Sequence, residues 1–209
     1  KTMYTLYYSP SACSLATQVV LHELDQQVEI INVSKVGNFS AINPVGAVPV
    51  LIEQDQSNGQ SHTYTEGAAI ILHLLDRHQN SLLPAGGAAR NKGIEQILFA
   101  NATMHPAYGR LFFIAQHIED EAVKDLAFKA AAKMISTLWQ VVEQQLAKNS
   151  EEENFLAGEG VSAADIMLTV YSRWGASFPV DISIGERSQK MIDAVLAMPS
   201  FKRALAAEG

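Results

Sequence analysis

Tyr4-Thr5-Leu6-Tyr7-Tyr8-Ser9-Pro10-Ser11-Ala12-Cys13-Ser14-Leu15-Ala16-Thr17-Gln18-Val19-Val20-Leu21-His22-Glu23-Leu24 changes its hydrophobic period half-way along. Residues 4–8 are rich in β-formers, and the run stops at Ser9-Pro10. Beyond Cys13, apolar residues return at Leu15, Ala16, Val19, Val20 and Leu24, which is helical spacing. Residues 28–33 revert to β-forming character, so the segment reads as a βαβ unit. Cys13 stands at the joint, after the strand and in the first turn of the helix.

After residue 33 a polar stretch with Gly37 and Asn38 leads to Asn43-Pro44-Val45-Gly46, a dense turn signal. Residues 48–53 read as a strand, and residues 54–61, with Asn58-Gly59, as a hairpin turn into Thr63-Tyr64. Residues 66–78 form an almost wholly apolar helix, expected to pack on more than one side. Pro84, Gly86 and Gly87 then interrupt the chain, and no convincing strand follows. Residues 90–116, 120–148, 162–174, 188–198 and 200–208 carry helical spacing. Residues 150–154 read as an acidic loop and 178–185 as an irregular connection. The expected organisation is an α/β domain over 1–80, a linker over 81–87 and an all-helical domain over 88–209.

The length of 209 residues suffices for one large or two small domains. A formal net charge of -7, with no Lys/Arg-dense stretch, argues against a nucleic-acid partner. No apolar run approaches the roughly 20 residues of a membrane span; the longest, residues 68–75, is interrupted by His73. The first ten residues are too short and too β-like for a signal peptide. Cys13 is the sole cysteine, which excludes an internal disulfide and a dithiol mechanism within one chain. A lone thiol fits a reducing compartment, and the expected location is the cytoplasm.

Three features carry candidate chemistry. A helix N-terminus presents unpaired N–H groups and a positive dipole end, which would stabilise a Cys13 thiolate, with the Ser11 and Ser14 hydroxyls as further donors. A small buried hydrophobe is an equally open reading of that cysteine. Val48-Pro49 opens a strand, where a proline is either an ordinary trans residue or a cis one. A cis bond would turn the Val48 N–H and C=O towards an extended peptide. In Thr65-Glu66-Gly67, Thr65 reads as an N-cap and Glu66 as a first-turn acid that complements the dipole. Alternatively Glu66 pairs with a ligand ammonium while the Gly67 N–H binds a ligand carboxylate, a use that accounts for a glycine in a first turn.

Two further features lie in the helical part. Ser162-Ala-Ala-Asp165 is a capping box, with Val161 and Ile166 at the staple positions, and it reads as a folding signal. Ile94, Leu98, Asn101, His105, Tyr108 and Phe112 share one helical stripe, which Pro106 should kink just past His105. A satisfied core histidine is the default reading of His105.

Taken together, Tyr8-Ser9-Pro10-Ser11-Ala12-Cys13-Ser14-Leu15, the N-P-x-G-x-V-P segment at Asn43–Pro49, T-E-G-A-A-I from Thr65 and the later S-x-x-D box strongly resemble glutathione transferases. The resemblance covers essentially the whole chain and looks most like the bacterial class with a cysteine near the first helix. It implies a thioredoxin-like N-terminal domain followed by an all-helical one, a cis-proline at Pro49, and a homodimer. It also implies glutathione as co-substrate, its cysteinyl backbone on Val48 and its γ-glutamyl end on Glu66-Gly67. Lys35 and Asn101 are added as glutathione contacts, and His105 as a hydrogen-bonding or proton-handling residue near the glutathione sulfur. The chain departs from many relatives at Val45 and Ala47, where polar residues are common, and at Leu98, where some carry a partner-subunit asparagine.

The expected activity is that of a glutathione transferase acting in detoxification, with a small hydrophobic electrophile or a disulfide as acceptor. Cys13 either tunes the glutathione sulfur for conjugation or forms a mixed disulfide with it, and the sequence leaves both open. Phe112, Phe113 and Trp174 are candidates for the apolar acceptor pocket, and equally for core. Other readings are a non-catalytic ligand- or partner-binding relative and a glutathione-dependent isomerase or dehalogenase. Tyr4, Tyr7 and Tyr8 read as structural. No metal is expected: His73 and His78 stand roughly 140° apart around a helix.

Overall fold

The computed structural model describes residues 2–209. The chain begins with β1 (Thr2–Tyr8), α1 (Ser14–Glu23), β2 (Val28–Asn32), β3 (Val50–Asp55), β4 (Ser61–Tyr64) and α2 (Gly67–Arg77). The strands form one sheet in the order β2-β1-β3-β4. β1 runs parallel to β2, with Tyr4 opposite Val28, and antiparallel to β3, with Tyr7 opposite Val50. β4 closes the sheet as the antiparallel partner of β3. The period change in the first residues therefore does mark a βαβ unit.

β1 is central, and its alternation shows it: Tyr4, Leu6 and Tyr8 are buried, while Tyr7 on the other face is half-buried. Leu15, Val19 and Val20 of α1 and Ile70, Ile71 and Leu74 of α2 supply fully buried apolar side chains beside them. α2 leaves Ala69, Asp76 and Arg77 exposed, so its apolar run makes one broad buried stripe rather than an enclosed helix. A last helix, α8 (Pro199–Glu208), joins this first unit and packs along α1. The sequence reading had placed it in the helical domain. Phe201 and Ala204 make its stripe fully buried, but periodicity does not say which partner a stripe covers.

The second unit spans Ser81–Leu196 and contains only helices. They are α3 (Gly87–Phe99), α4 (His105–His117), α5 (Glu121–Leu146), α6 (Ala163–Ser172) and α7 (Glu186–Leu196). Its first residues are not a free linker, because Leu82 and Leu83 are buried and the Ala163 N–H donates to the Leu82 carbonyl at 3.0 Å. Gly93 permits this: a Cβ there would lie 2.5 Å from Leu83 Cδ1. Between α3 and α4, Ala100–Met104 takes one π-helical turn. The proline effect anticipated beyond His105 is absorbed on its other side, with Pro106 in the first turn of α4, where its missing donor matters least. α6 is buried from Ala163 to Tyr171 and forms the centre of the unit.

Candidate active site

Cys13 is the N-cap of α1, with helical dihedrals and no side-chain cap among the described residues. The turn before it is closed by the Ala12 N–H, which donates to the Ser9 carbonyl at 3.1 Å. The Ser14 hydroxyl donates to the Ser9 carbonyl and accepts from the Ser9 N–H, both at 3.4 Å. Ser14 thus serves the turn and not the sulfur, a correction to its expected role. The Cys13 thiol donates instead to the Val48 carbonyl, with Sγ 3.3 Å from the oxygen.

Val48 arrives there on a loop with its own internal clamp. Asn43 is buried; its Nδ2 donates to the Ala47 carbonyl at 2.8 Å and its Oδ1 accepts the Val45 N–H at 3.2 Å. The Val48-Pro49 bond is cis, and Pro49 is buried at the entry to β3. Val45, one of the departures from the polar pattern, is 76% exposed.

The third element is the start of α2. The helix begins at Gly67, with Glu66 as N-cap at φ 68° and no side-chain cap among the described residues. Thr65 therefore lies one residue outside the position expected for it. Glu66 is exposed, and the first amides of α2 have no intrahelical acceptor available to them.

The charge state of Cys13 follows from these surroundings. Burial pushes the thiol up to about 11, opposed by the N–H groups of Cys13 and Ser14 that face the sulfur, and the Glu66 carboxylate raises it further. The resting group is a thiol, consistent with its donation to a carbonyl. Of the two open readings of Cys13, these surroundings favour the buried thiol over the helix-stabilised thiolate, because desolvation outweighs the amides.

In the second unit, His105 opens α4 and stacks on Tyr171, with centroids 4.8 Å apart, while Trp174 lies at 5.1 Å. Burial lowers the His105 pKa, so the imidazole is neutral at pH 7. Phe112 packs edge-on against Trp174 and Phe178, extending one aromatic cluster. Phe113 points elsewhere: it is 62% exposed and contacts His117.

The sequence and the fold are similar to those of known proteins. The model of the glutathione S-transferase N-terminal domain matches residues 4–82. Over 210 residues the chain is 30% identical to glutathione S-transferase GST-4.5 of Xanthomonas campestris pv. campestris, with 98% of each chain covered. The chain belongs to the glutathione S-transferase family. Among solved structures, the transferase of Xylella fastidiosa superposes with a TM-score of 0.83 at 29% identity, covering 99% of this chain and 98% of the other. The bacterial beta-class transferase of Sphingomonas chungbukensis does so with a TM-score of 0.79 at 27% identity, covering 98% of each chain.

Within this transferase fold the remaining site candidates are distributed unevenly. Lys35 ends a short 3-10 turn, Val33–Lys35, and is exposed. Asn101 lies half-buried in the π turn of the helical unit. One cluster was not anticipated. Glu53, buried on β3, has Oε2 2.6 Å from His73 Nε2 and Oε1 2.9 Å from Arg77 Nε, and Tyr64 stacks on His73. It ties β3 and β4 to α2, and β-alternation placing an acid on the buried face of β3 was its available signal. No three His, Cys, Asp or Glu side chains converge on a metal position among the described residues.

Proposed function

We propose that this family member binds glutathione through its first unit and directs the glutathione sulfur onto an electrophile, with Cys13 beside that sulfur. The carrying observation is the contact of Cys13 with the Val48 carbonyl, in a unit where Glu66 stands over an uncapped helix start. These groups complement a peptide that bears a thiol, a backbone amide, an ammonium and a carboxylate. Val48 takes the cysteinyl backbone, Glu66 the ammonium, and the Gly67 amide the carboxylate. Lys35 in this unit and Asn101 in the second are the remaining candidates for a glutathione contact.

Binding exchanges one hydrogen bond for another. The Val48 carbonyl that holds the Cys13 thiol is the acceptor an incoming cysteinyl N–H needs, so the ligand releases that thiol. Cys13 then donates to the glutathione sulfur, helped by the inward-facing amides of Cys13 and Ser14. Glutathione gives up its thiol proton to solvent, the thiolate attacks the electrophilic carbon, the new C–S bond forms, and the leaving group departs with its electron pair. A protonated Cys13 suits the donor role better than attack on a disulfide, which needs the thiolate. Neutral His105 supplies a hydrogen-bonding imidazole, and its aromatic neighbours Phe112, Tyr171 and Trp174 offer an apolar surface to a small hydrophobic acceptor.

The likeness to the beta-class transferase of Sphingomonas chungbukensis supports assignment to the cysteine-bearing bacterial class. The protein acts as a cytoplasmic homodimer in detoxification. Exposed Leu98, Leu126 and Met134 supply apolar surface for a second copy, and no described helix is long and apolar enough to cross a membrane. Retention on immobilised glutathione, followed by turnover of a generic aryl halide and of a small mixed disulfide, tests this reading. Retention with aryl-halide turnover is expected; a folded sample showing neither overturns it.

A further inference from the structure

The turn that delivers Cys13 contains a residue in an uncommon conformation. Ser11 has φ 59°, the left-handed region that non-glycine residues seldom occupy. Its N–H donates to Glu208 Oε2 at 2.8 Å, a carboxylate 197 positions further along the chain, in the last turn of α8. The following N–H, of Ala12, is held by the Ser9 carbonyl. The next two, of Cys13 and Ser14, face the Cys13 sulfur. Four successive amides are thus oriented, and the only one tied to a remote element is that of Ser11.

Stability is a poor explanation for that tie. The hydrogen bond lies at the surface, where water competes for the Ser11 N–H and limits the net gain. α8 is held to its unit by buried Phe201 and Ala204 instead. Geometry is the better explanation, because two peptide planes beyond Ser11 lies the N–H that faces the sulfur.

We propose that Glu208 is a positioning residue for the Cys13 site: through Ser11 it sets the turn that aims the Cys13 and Ser14 amides at the sulfur. The inference rests on Cys13 being the site's sulfur and leaves the identity of the ligand open. A carboxylate also acts as a charge, and the two effects have opposite signs. Removing a negative charge eases thiolate formation and speeds thiol chemistry, whereas losing aligned amides slows it.

The test is the rate of Cys13 carbamidomethylation by iodoacetamide, followed by intact mass from about pH 7 to about pH 10, in wild type, Glu208→Ala and Glu208→Gln. With one cysteine in the chain, the mass change reports that residue alone. Glu208→Ala should react about fivefold more slowly at a given pH, with its profile displaced to higher pH. Glu208→Gln keeps an acceptor oxygen without the charge and should stay within roughly twofold of wild type. A Glu208→Ala protein that reacts at the wild-type rate or faster overturns the proposal, as does a Glu208→Gln protein as slow as Glu208→Ala. Should Glu208→Ala fail to fold, Glu208→Gln decides: a wild-type rate supports positioning, and a faster one assigns the effect to charge and overturns it. Calorimetric titration of the same proteins with glutathione separates the two readings. A wild type that fails to bind glutathione sinks the proposed function but leaves the thiol profiles interpretable.

Discussion

Helix starts in this molecule are finished in two ways. In the second unit, α5, α6 and α7 each begin under a carboxylate. Asp120 accepts the N–H groups of Ala122 and Val123, both at 3.0 Å. Asp165 accepts the Ser162 N–H and hydroxyl, both at 2.7 Å, and the Leu156 N–H at 3.1 Å. Glu143, reaching from α5, accepts the Arg187 and Ser188 N–H groups at 2.9 and 2.8 Å. Gly185 leaves room for that carboxylate, since a Cβ there would collide with it. In the first unit, α1 and α2 start at Cys13 and Glu66 with no side-chain cap among the described residues. A closed start has spent its first donors on a carboxylate. At α1 the Leu15 and Ala16 N–H groups go to the Ala12 and Cys13 carbonyls, and the Cys13 and Ser14 amides face the sulfur. The start of α2 leaves its donors for a ligand. α3 at Gly86 and α8 at Met198 also start without a side-chain cap among the described residues, and of these uncapped starts the two at α1 and α2 carry the candidate site.

The largest effect that could break this contrast is at the closed end. Asp165→Ala leaves three donors, two of them buried, without their acceptor and should remove about 3 kcal/mol of stability. Urea denaturation measures it, and glutathione affinity of the folded fraction should not change. If affinity fell with stability, the closed start would also belong to the site. At the open end the pattern reverses. Glu66→Ala should weaken glutathione binding about tenfold, near 1.4 kcal/mol by calorimetry. Its melting point should scarcely move, because the Glu66 side chain makes no cap. A large loss of stability there would show that Glu66 serves the helix after all.

How far this contrast was legible in the sequence depends on the range of the signal. The βαβ unit and the capping box are local, written in a period change over residues 4–24 and in Ser162-Ala-Ala-Asp165, and both are present. Thr65-Glu66-Gly67 misled by one residue. Thr65 is a good N-cap by type, but Glu66 adopts a left-handed φ that composition does not reveal, and the helix starts one step later. Non-local features were hidden for a physical reason. The Glu53–His73–Arg77 cluster and the Ser11–Glu208 tie join residues 20 or more positions apart, and no periodicity encodes such a meeting. The Cys13 protonation state stayed open in the sequence for the same reason. A helix start can be read from spacing, but the burial that outweighs it arises from the packed structure.

The smallest effect sharpens the contrast at its closed end, through pH. Burial pushes the Asp165 carboxyl up to about 6 from its ordinary 3.8, against the lowering by its hydrogen bonds from Ser162 and Leu156. A carboxyl whose pKa rises on folding binds its proton more tightly in the native state. Its stabilising contribution is therefore complete below 3.8 and is lost as pH rises through about 6. Asp165→Asn cannot titrate, so the stability gap between wild type and this variant should widen by about 1 kcal/mol as pH falls from about 7 to about 5. Denaturation of both proteins at the two pH values measures the gap. A constant gap would mean that the three donors offset burial fully, so that the closed start holds an ordinary carboxylate. A narrowing gap would mean that they overcompensate, and that the box favours the charged form as strongly as a ligand site would.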